Sequence, residues 1–454
     1  MENELTIAQA LKLAVEKHNQ GNLQEAKNIY EKILEKDKTN SDAWHLLGLV
    51  FFQLKDYVLA IEKIKKAIEL NSNSALYFGN LAMVYDAVGD EENSTKCFER
   101  ALEINPHYNK AHLAHFNLGI FFRDKGEFEK ALEHYDAAIK LKNDFFDARW
   151  NRSLVLLFLG RFDEAWEDYE CRFKKDSPTD LRIFNKPKWD GSFLNGKKIL
   201  VLSEQGFGDN IQFVRYISLI KEKGGYVILE CKKEIRKLFQ GFVGVDEFVD
   251  KTEDFSKIDF DCYIHLMSLP GIFKTNLKNI PKKIPYLKPD SFLVEKFKTF
   301  FDKTKFNIGI VWAGNPNQVN DKNRSTSFEN FKILNGIPEV KFYSLQKGEA
   351  TNQIFGTEVI DLSRQINDFS DTAAIIENLD LIISVDTSVA HLAGALGKPT
   401  WTLLTFIPDW RWFFKGKNCV WYPSMKLFRQ KKSGDWKSVF EEVKIELEKL
   451  VRKI

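Results

Sequence analysis

The feature that most limits how this chain can fold is a repeat of 34 residues in its first third. Similar residue types return at matching positions in five successive rows, with three extra residues before the fourth row. The second row contains Trp44, Leu47, Gly48, Phe51, Ala60, Ile64 and Ala67. Glycine occupies the fifteenth position in four rows, at Gly21, Gly89, Gly126 and Gly160. The pattern predicts two short amphipathic helices per row, the first of which ends at that glycine.

These rows resemble the tetratricopeptide repeat. A helix pair of this size cannot bury its own apolar face, so successive pairs are expected to stack into a superhelical solenoid. The resemblance implies a concave face that docks a peptide or a protein, and a role in bracing the following domain is the alternative. We assign about five repeats to residues 1–176. The last helix, EAWEDYECRF, is expected to cap the array and to pack on the next region of the chain.

Composition excludes several classes of protein. The chain has 454 residues, enough for two or three domains. Its 66 basic and 64 acidic residues argue against a dedicated nucleic-acid binder. Residues 1–176 hold 24 basic and 30 acidic residues, so the rest is net basic and suits an anionic ligand, although composition drift would give the same numbers. The five cysteines are scattered, so we expect neither a disulfide framework nor a zinc site.

The sequence shows no signal for a membrane or for secretion. It contains no apolar run of about 18 residues, the length that a transmembrane helix requires. The segment MENELTIAQALKLAVEKHNQ lacks the basic start and apolar run of a signal peptide. We therefore expect a cytoplasmic protein.

The pattern changes after residue 176. Residues 177–196 carry prolines and glycines without a period, which is typical of a linker. Strand-like runs then alternate with helical stretches, first KILVLSE, YVILE and CYIHLM, and after a restart FNIGIVWAG, KFYSLQKG, VIDL, LIISVD and TWTLLT. The alternation predicts two Rossmann-like α/β domains, residues 197–290 and 291–454, with a cleft between them. On pattern alone, a two-domain binding protein or a dehydrogenase would look similar.

The first candidate site comes directly after the first strand, in the run SEQGFGDN at 203–210. Its glycines permit a turn that brings backbone close to a ligand. Asp209 falls at the start of the next helix, so one interpretation is that its sole role is that of an N-cap. At the mouth of the cleft, its carboxylate could also take a proton from an acceptor hydroxyl. Its neighbours Glu204, Gln205 and Gly208 are candidates for the acceptor side.

The second candidate site is a strand that ends at Asp386 and a helix that begins through Thr387 and Ser388. The N–H groups at a helix start, with hydroxyls beside them, suit a phosphate. His391 comes one turn later on the same face as Thr387, so that it can point at the same ligand. A purely structural histidine is the alternative.

Two loops of the same half add polar and basic side chains. The run WAGNP contains Trp312 and Asn315 and leads to Arg324, whose forked donors suit a diphosphate. The run SLQKG ends the next strand and adds Gln346 and Lys347, and we expect Lys347 to face a phosphate. Ordinary surface loops are the alternative.

These runs together resemble a known family. EQGFGDNIQFVRY, GIVWAGNP, SLQKG and above all DLIISVDTSVAHLAGALGKPTW are similar to bacterial tetratricopeptide-repeat glycosyltransferases. The catalytic region of those proteins resembles glycosyltransferase family 9, the ADP-heptose:lipopolysaccharide heptosyltransferases. PDWRWFF and VWYPSMKLFRQ are also similar to this repeat-bearing subgroup. The resemblance implies a GT-B fold, in which two Rossmann-like domains flank the cleft.

The resemblance also implies roles for the candidate residues. Asp209 matches the proposed general base of an inverting transfer. Asp386, Thr387, Ser388 and His391 match the donor-binding helix start, where relatives often have glycine at the position of Ser388. Arg324 falls near the basic position of the diphosphate loop, although that loop differs in length. The implied donor is a nucleotide diphosphate sugar, with no further cofactor and no metal. We interpret the triplet Asp259-Phe260-Asp261 as a chance match to a metal motif.

The acceptor stays open, because the repeats are absent from lipopolysaccharide heptosyltransferases and the half at 197–290 is shorter than theirs. Our main hypothesis is transfer of a sugar to a hydroxyl of a protein or of a cell-surface glycan. One alternative is a non-catalytic repeat scaffold with a degenerate transferase domain. Another is protein glycosylation of the O-GlcNAc transferase type, in which the repeats present a polypeptide.

Overall fold

The chain forms two compact units, Met1–Val155 and Leu156–Ile454. The structure is a computed structural model and describes residues 5–180, 182, 184–318 and 320–453. The sequence-based boundary at residue 176 lies inside the second unit. The reason is found in the fifth repeat, whose second helix packs against the α/β region.

The first unit is built from helices of 13 or 14 residues that match the repeat. Their bounds are α1 Ile7–Asn19, α2 Leu23–Lys36, α3 Ser41–Gln53, α4 Tyr57–Leu70, α5 Ala75–Ala87, α6 Glu91–Ile104, α7 Ala111–Asp124 and α8 Phe128–Leu141. A further helix, α9 (Phe146–Phe158), continues past the boundary between the units. The predicted two helices per row are therefore present, and this region is a tetratricopeptide-like helical array.

The helix pairs turn where the repeat predicts. The four glycines at the fifteenth position have φ between 77° and 80°, and Lys55 takes φ 64° at the same position of the second row. Several helices start with a side-chain cap: Asn40, Asp56 and Asp90 each accept a hydrogen bond from a backbone N–H three residues on. Local sequence signals therefore determine where these helices end and begin.

The core of the first unit alternates small and large side chains. Ala14, Ala26 and Ala60 are fully buried, as are the rings of Tyr30 and Tyr135. A Cβ atom added at Gly119 would lie 2.5 Å from Cε1 of Tyr135. The small residues at the repeat positions therefore let neighbouring helices approach to the distance at which the large ones fill the gaps.

The second unit alternates strands and helices. Its strands are β1 Lys198–Leu202, β2 Tyr226–Glu230, β3 Glu247–Val249, β4 Cys262–His265, β5 Phe306–Val311, β6 Val340–Ser344, β7 Ile360–Asp361, β8 Leu381–Val385, β9 Thr400–Leu404 and β10 Met425–Arg429. Its helices are α10 Phe162–Tyr169, α11 Phe207–Phe213, α12 Ile217–Glu222, α13 Lys233–Phe239, α14 Leu269–Ile272, α15 Ser291–Phe297, α16 Asp321–Arg324, α17 Phe369–Glu377, α18 Ser388–Ala395 and α19 Trp436–Val451.

The strands form two parallel sheets, in the orders β3-β2-β1-β4 and β10-β9-β8-β5-β6-β7. Leu200 of β1 pairs with Ile228 and Tyr263, and Ile310 of β5 pairs with Ser344 and Ile383. All eight predicted strand runs occur, which confirms a parallel-sheet α/β region. The short strand β3 and the edge strand β10 were not predicted. The strand orders place β1 and β8 inside their sheets, so that the segments after them emerge at the carboxyl edges.

Helix α10 and the segment after it pack on the α/β region. Trp166 of α10 donates from Nε1 to the carbonyl of Thr275, at 2.7 Å. In the proposed linker, Trp189 is buried and its N–H donates to the carbonyl of Tyr263, at 2.8 Å. Residues 181 and 183 of that segment lie outside the described residues. These contacts agree with the expectation that the last repeat helix packs on the next region, and Trp189 anchors the proposed linker to the same region.

None of the described helices combines the length and the apolar character that crossing a membrane requires.

We predict that Gly119→Ala lowers the free energy of unfolding by about 1–3 kcal/mol, because the added methyl group would overlap the buried ring of Tyr135. Chemical denaturation followed by circular dichroism measures the effect. The matched control is Gly241→Ala, where a Cβ would meet no atom within 4 Å. Equal stability of the two variants would contradict a close contact between Gly119 and Tyr135.

Candidate functional site

Asp209 lies in the first turn of α11, directly after β1. Gly206 is the N-cap of this helix, and Asp209 is its third residue. The Asp209 carboxylate accepts a hydrogen bond through Oδ2 from the N–H of Gly206, at 2.8 Å. Asp209 is therefore not the N-cap that the sequence allowed, although it does satisfy a backbone donor at the helix start. Its other carboxylate oxygen, Oδ1, takes no part in this hydrogen bond.

The second helix start lies in the other sheet, after β8. Asp386 comes directly after the strand, Thr387 is the N-cap of α18, and Ser388 is its first residue. The Thr387 side chain makes no capping bond, because its hydroxyl bonds that of Ser384, at 3.0 Å. The N–H groups of the first turn have no partner within the helix. This end of α18 therefore keeps the donors and the partial positive charge that attract an anion.

The two helix starts meet at a glycine. A Cβ atom added at Gly208 would lie 2.8 Å from Cδ2 of His391 and 3.5 Å from Cα of Ser388. Only a residue without a side chain allows α11 to approach α18 this closely. The two sequence-predicted sites, Asp209 on one sheet and the Asp386 to His391 segment on the other, are thus brought together.

Arg411, in the loop after β9, bonds the Asp209 carboxylate. Its Nη2 lies 2.5 Å from Oδ1 of Asp209, and its Nη1 lies 2.7 Å from Oδ1 of Asp409. Its side chain is 6% exposed, and its Nε has no hydrogen-bond partner among the described residues. Burial raises the pKa of Asp209, and the charge of Arg411 opposes that rise. The site therefore contains a buried arginine shared by two carboxylates.

Asp386 and His391 both have shifted pKa values. Burial, followed by the charge of Asp409, raises the pKa of Asp386 to about 6. Burial, followed by the charges of Arg411, Arg215 and Arg324, lowers the pKa of His391 well below its usual value. The imidazole of His391 is therefore neutral at pH 7 and can accept a hydrogen bond at one nitrogen.

Arg324 lies at the end of the short helix α16 and its charge acts on Asp386 and His391. Its Nε donates to Oδ1 of Asp321, at 3.1 Å, and its side chain is 16% exposed. A Cβ atom at Gly314 would lie 2.6 Å from that same Asp321 oxygen. The glycine of WAGNP therefore leaves room for the Arg324–Asp321 pair.

Two predicted binding residues, Trp312 and Gln346, are part of the interior. The indole of Trp312 is fully buried in the core with Phe328. Gln346 is buried, and its Oε1 accepts from the N–H groups of Trp312 and Ala313, at 3.1 and 2.9 Å. Gln346 thus ties the end of β6 to the end of β5, and the Trp312 indole faces the interior.

Two further predicted residues, Lys347 and Asn315, bond backbone groups close to them. The Nζ of Lys347 donates to the carbonyls of Ser363 and Ile366, at 2.8 and 2.9 Å, rather than lying free for a phosphate. Asn315 is exposed and accepts through Oδ1 from the N–H of Asn317, at 3.0 Å. Both side chains therefore stabilise the backbone of the loops to which they bond.

Glu204 forms a buried ion pair. Arg172, which comes after α10, is 0% exposed and bonds both Glu204 oxygens, through Nε at 2.9 Å and Nη2 at 3.0 Å. Gln205 is exposed, with φ 54°, and its carbonyl accepts from Nζ of Lys232, at 3.0 Å. Both Glu204 oxygens are therefore bonded by Arg172 and are not free for a ligand, which favours a structural role over the expected role on the acceptor side.

The triplet at 259–261 lies at the amino end of β1. Asp259 pairs with Nζ of Lys198, at 2.7 Å, and Oδ2 of Asp261 accepts from the Lys198 N–H, at 2.8 Å. These contacts give both carboxylates a structural role at the opposite end of the strand from Asp209. In the described part of the chain, no group of three His, Cys, Asp or Glu side chains has the arrangement of a metal site.

A cavity of about 350 Å³ lies beside the Arg324 loop. Its lining comes from that loop, from the segment after β9 and from the chain at the start of α19, and includes Asn323, Ser325, Thr326, Thr405, Ser433, Gly434 and Trp436. Hydroxyl, amide and indole groups offer both hydrogen bonds and a flat apolar surface.

Sequence reasoning missed Arg411 and Asp409. Both lie in PDWRWFF, which has neither helical nor strand periodicity. Two charged residues within an aromatic run were the available signal, since a charge among rings requires a partner when it is buried.

Family models match several parts of the chain. Residues 75–108 match the tetratricopeptide repeat, 119–160 match a TPR repeat, and 19–85 match anaphase-promoting complex, cyclosome, subunit 3. Residues 366–412 match glycosyltransferase family 9 (heptosyltransferase) and include Asp386, His391 and Arg411. The chain therefore contains tetratricopeptide repeats and a glycosyltransferase-like region.

Comparison with individual proteins gives three further similarities. Protein FlbA of Caulobacter vibrioides is 28% identical over 413 residues, which cover 83% of this chain and 67% of FlbA. Protein O-mannosyl-transferase TMTC3 of Homo sapiens is 34% identical over 132 residues, which cover 29% of this chain and 14% of TMTC3. A crystal structure of MamA protein is 24% identical, with a TM-score of 0.33, and the match covers 39% of this chain and 97% of that one.

We predict that Arg172→Met lowers the free energy of unfolding by about 3–5 kcal/mol, because Glu204 would keep a buried charge without its partner. Urea denaturation measures the loss. Arg100→Met is the control, since the Arg100–Glu103 pair is about half exposed and its removal should change the stability by less than about 1 kcal/mol. A loss at Arg172 as small as that at Arg100 would refute the structural role of the pair.

We also predict that Asp386→Asn becomes increasingly favourable to stability, relative to wild type, as the pH rises from about 4 to about 6. The folded state holds the Asp386 proton with a pKa of about 6, while an unfolded Asp titrates near 4, so wild type loses stability over this range. Denaturation midpoints from pH 4.5 to 8 measure the difference. Asp302→Asn is the control: hydrogen bonds from Thr304 lower the pKa of Asp302, so this carboxyl is ionised in both the folded and the unfolded state above pH 4.5, and the stability difference from wild type should stay nearly constant over the measured range.

Proposed function

We propose that this protein is an inverting glycosyltransferase of the GT-B type, which transfers a sugar from a nucleotide diphosphate sugar to a hydroxyl acceptor without a metal. The observation that carries the proposal is the meeting of two strand-end helices at Gly208 and His391. This contact brings a carboxylate of the first sheet near an anion-binding helix start of the second. The match to glycosyltransferase family 9 at 366–412 supports it.

The donor would bind at the second sheet. Its diphosphate would lie at the start of α18, where N–H groups and the Ser388 hydroxyl are available at the strand end. Arg324 and Arg411 would offset the charge that develops on the leaving nucleoside diphosphate. The polar cavity at the Arg324 loop, with the Trp436 ring in its wall, would take the nucleoside.

Asp209 would act as the general base. It would remove the acceptor hydroxyl proton while that oxygen attacks the anomeric carbon and the nucleoside diphosphate leaves. The rise in pKa that burial causes makes the carboxylate a stronger base. Arg411 opposes that rise and orients the carboxylate through Oδ1, and the hydrogen bond from Gly206 holds Oδ2.

The repeats would dock the acceptor or a partner protein. A solenoid of paired helices offers an extended surface for a polypeptide, which is the usual function of this architecture. A protein acceptor, as in transferases of the O-GlcNAc type, and a cell-surface glycan are the two acceptor classes of the proposal. The name of TMTC3 describes transfer of mannose to protein by that relative.

The second candidate is a repeat scaffold with a degenerate transferase domain. The specific observation in its favour is that both Asp209 oxygens already have donors, Gly206 and Arg411. A base that cannot release one of these bonds would not take a proton. Binding of nucleotide sugars separates the two candidates, because a scaffold should bind none of them.

We predict that Asp209→Asn abolishes sugar transfer, by at least about a hundredfold, and leaves the affinity for the nucleotide within a few fold. A panel of nucleotide sugars is first screened by calorimetry and by release of nucleoside diphosphate, and the best donor is then used for both measurements. Asp259→Asn is the control, because Asp259 is exposed and pairs with Lys198.

Full turnover by Asp209→Asn would exclude Asp209 as the base. Absence of binding by every nucleotide sugar, in a folded protein, would reject the transferase and leave the scaffold.

A further inference from the structure

The hydroxyl of Ser384 determines where the hydrogen of the Thr387 hydroxyl goes. Ser384 lies in β8 and is fully buried, and its Oγ donates to the carbonyl of Val385, at 2.7 Å. A serine hydroxyl has one hydrogen and a carbonyl oxygen can only accept, so that hydrogen is committed. The oxygens of the Ser384 and Thr387 hydroxyls lie 3.0 Å apart, and in this bond Thr387 must therefore be the donor.

This bond keeps Thr387 from the role that its position favours. Thr387 is the N-cap of α18, and a threonine at an N-cap normally accepts a hydrogen bond from the N–H two or three residues on. Its hydroxyl bonds Ser384 instead, and no side-chain cap bond forms. A stabilising local contact is thus absent from a helix start that has the side chain to make it.

The start of α18 therefore keeps open N–H groups. The N–H of Ala390 bonds the carbonyl of Thr387, at 3.1 Å. Within the described residues, no acceptor is found for the N–H groups of Ser388 and Val389, and both residues are partly exposed. Two open donors at the positive end of a helix suit the oxygens of a phosphate.

A buried arginine beside the same helix start has a donor without a partner. A Cβ atom at Gly208 would lie 3.5 Å from Cα of Ser388, and the residue after Gly208, Asp209, bonds Nη2 of Arg411. The Arg411 side chain is 6% exposed, and its Nε finds no acceptor in the described part of the chain. A buried donor without an acceptor costs free energy, and an oxygen of an anionic ligand would supply the acceptor.

We propose that Ser384 is a positioning residue, which holds the Thr387 hydroxyl away from the start of α18 and so keeps the N–H groups there open for phosphate oxygens of the ligand. The ligand class, a diphosphate, rests on the proposed function, whereas the absence of the cap does not. Without the Ser384 hydroxyl, Thr387 would lose its acceptor and turn to cap the Val389 N–H. A phosphate would then have to compete with that cap.

The first test is hydrogen exchange of the Val389 amide in the full chain without ligand. NMR on protein labelled with ¹⁵N-valine measures it, and the signal is assigned by its loss in Val389→Ile. We expect fast exchange in wild type and exchange about fivefold slower in Ser384→Ala, where the cap forms. Exchange should be fast again when Thr387→Ala is added to Ser384→Ala, because no hydroxyl is then left to cap the helix.

The second test is the affinity for inorganic pyrophosphate, measured by calorimetry. We expect Ser384→Ala to weaken binding about fivefold and the double variant to recover most of that loss. Thr402→Val is the matched control. Thr402 pairs with Ser384 in the sheet, and its buried hydroxyl has no partner among the described residues, so neither the exchange nor the affinity should change.

Slow exchange of the Val389 amide in wild type, or unchanged exchange in Ser384→Ala, would overturn the proposal. The wild-type rate decides even if a variant does not fold. Binding that weakens in Ser384→Ala and stays weak in the double variant would refute capping by Thr387 as the cause. Absence of pyrophosphate binding by wild type would reject the diphosphate site of the proposed function, while the exchange rates still confirm or refute the role of Ser384 in preventing the cap.

Discussion

The arrangement of the second unit depends on one close approach, that of Gly208 on α11 to His391 on α18. Each helix begins at the carboxyl end of a strand in a different sheet, so each brings a polar helix start to the same place. A methyl group at Gly208 would overlap the imidazole and force the helices apart. The distance between Asp209 and the start of α18, and hence the bond from Arg411 to Asp209, depends on this contact.

Around this contact, each buried carboxylate has an arginine near it. Arg411 serves both Asp209 and Asp409, while the charges of Arg324 and Arg411 act on Asp386. Taking a carboxylate out of water is costly unless donors replace the lost hydration, and each of these carboxylates is close to an arginine. An anionic ligand would enter a site whose positive groups are already ordered, so that little further rearrangement of side chains is needed to bind it.

Much of this organisation can be read from periodicity in the sequence. The repeat predicted the helix pairs, and strand runs bounded by glycine and charge predicted the sheets, because both depend on local patterns. Strand-end position predicted that Asp209 and His391 lie at the carboxyl edges of their two separate sheets, and the structure brings those two edges together at Gly208. Position alone could not tell that the Trp312 indole turns inward or that Gln346 bonds backbone, because side-chain direction is set by packing across the sheet.

Contacts between side chains that are far apart in the sequence were the second feature that sequence patterns could not predict. Glu204 bonds Arg172, which lies 32 positions earlier, directly after α10, and no local sequence pattern predicts such a partner. Arg411 lies in an irregular aromatic segment, where neither helical nor strand spacing predicts which way a side chain faces. The roles of the individual site residues therefore stay predictions.

The pair of Arg172 and Glu204 has a consequence for how such a chain can be divided. Arg172 lies in the last repeat by sequence, yet its guanidinium bonds Glu204, which belongs to the turn that precedes Asp209. Cutting the chain at the apparent end of the repeats, or exchanging the whole array for one from a related protein, would remove an internal counter-ion of the α/β region. A transplantable repeat array in this protein therefore ends no later than α8, because α9 crosses the boundary between the units and α10 packs on the α/β region.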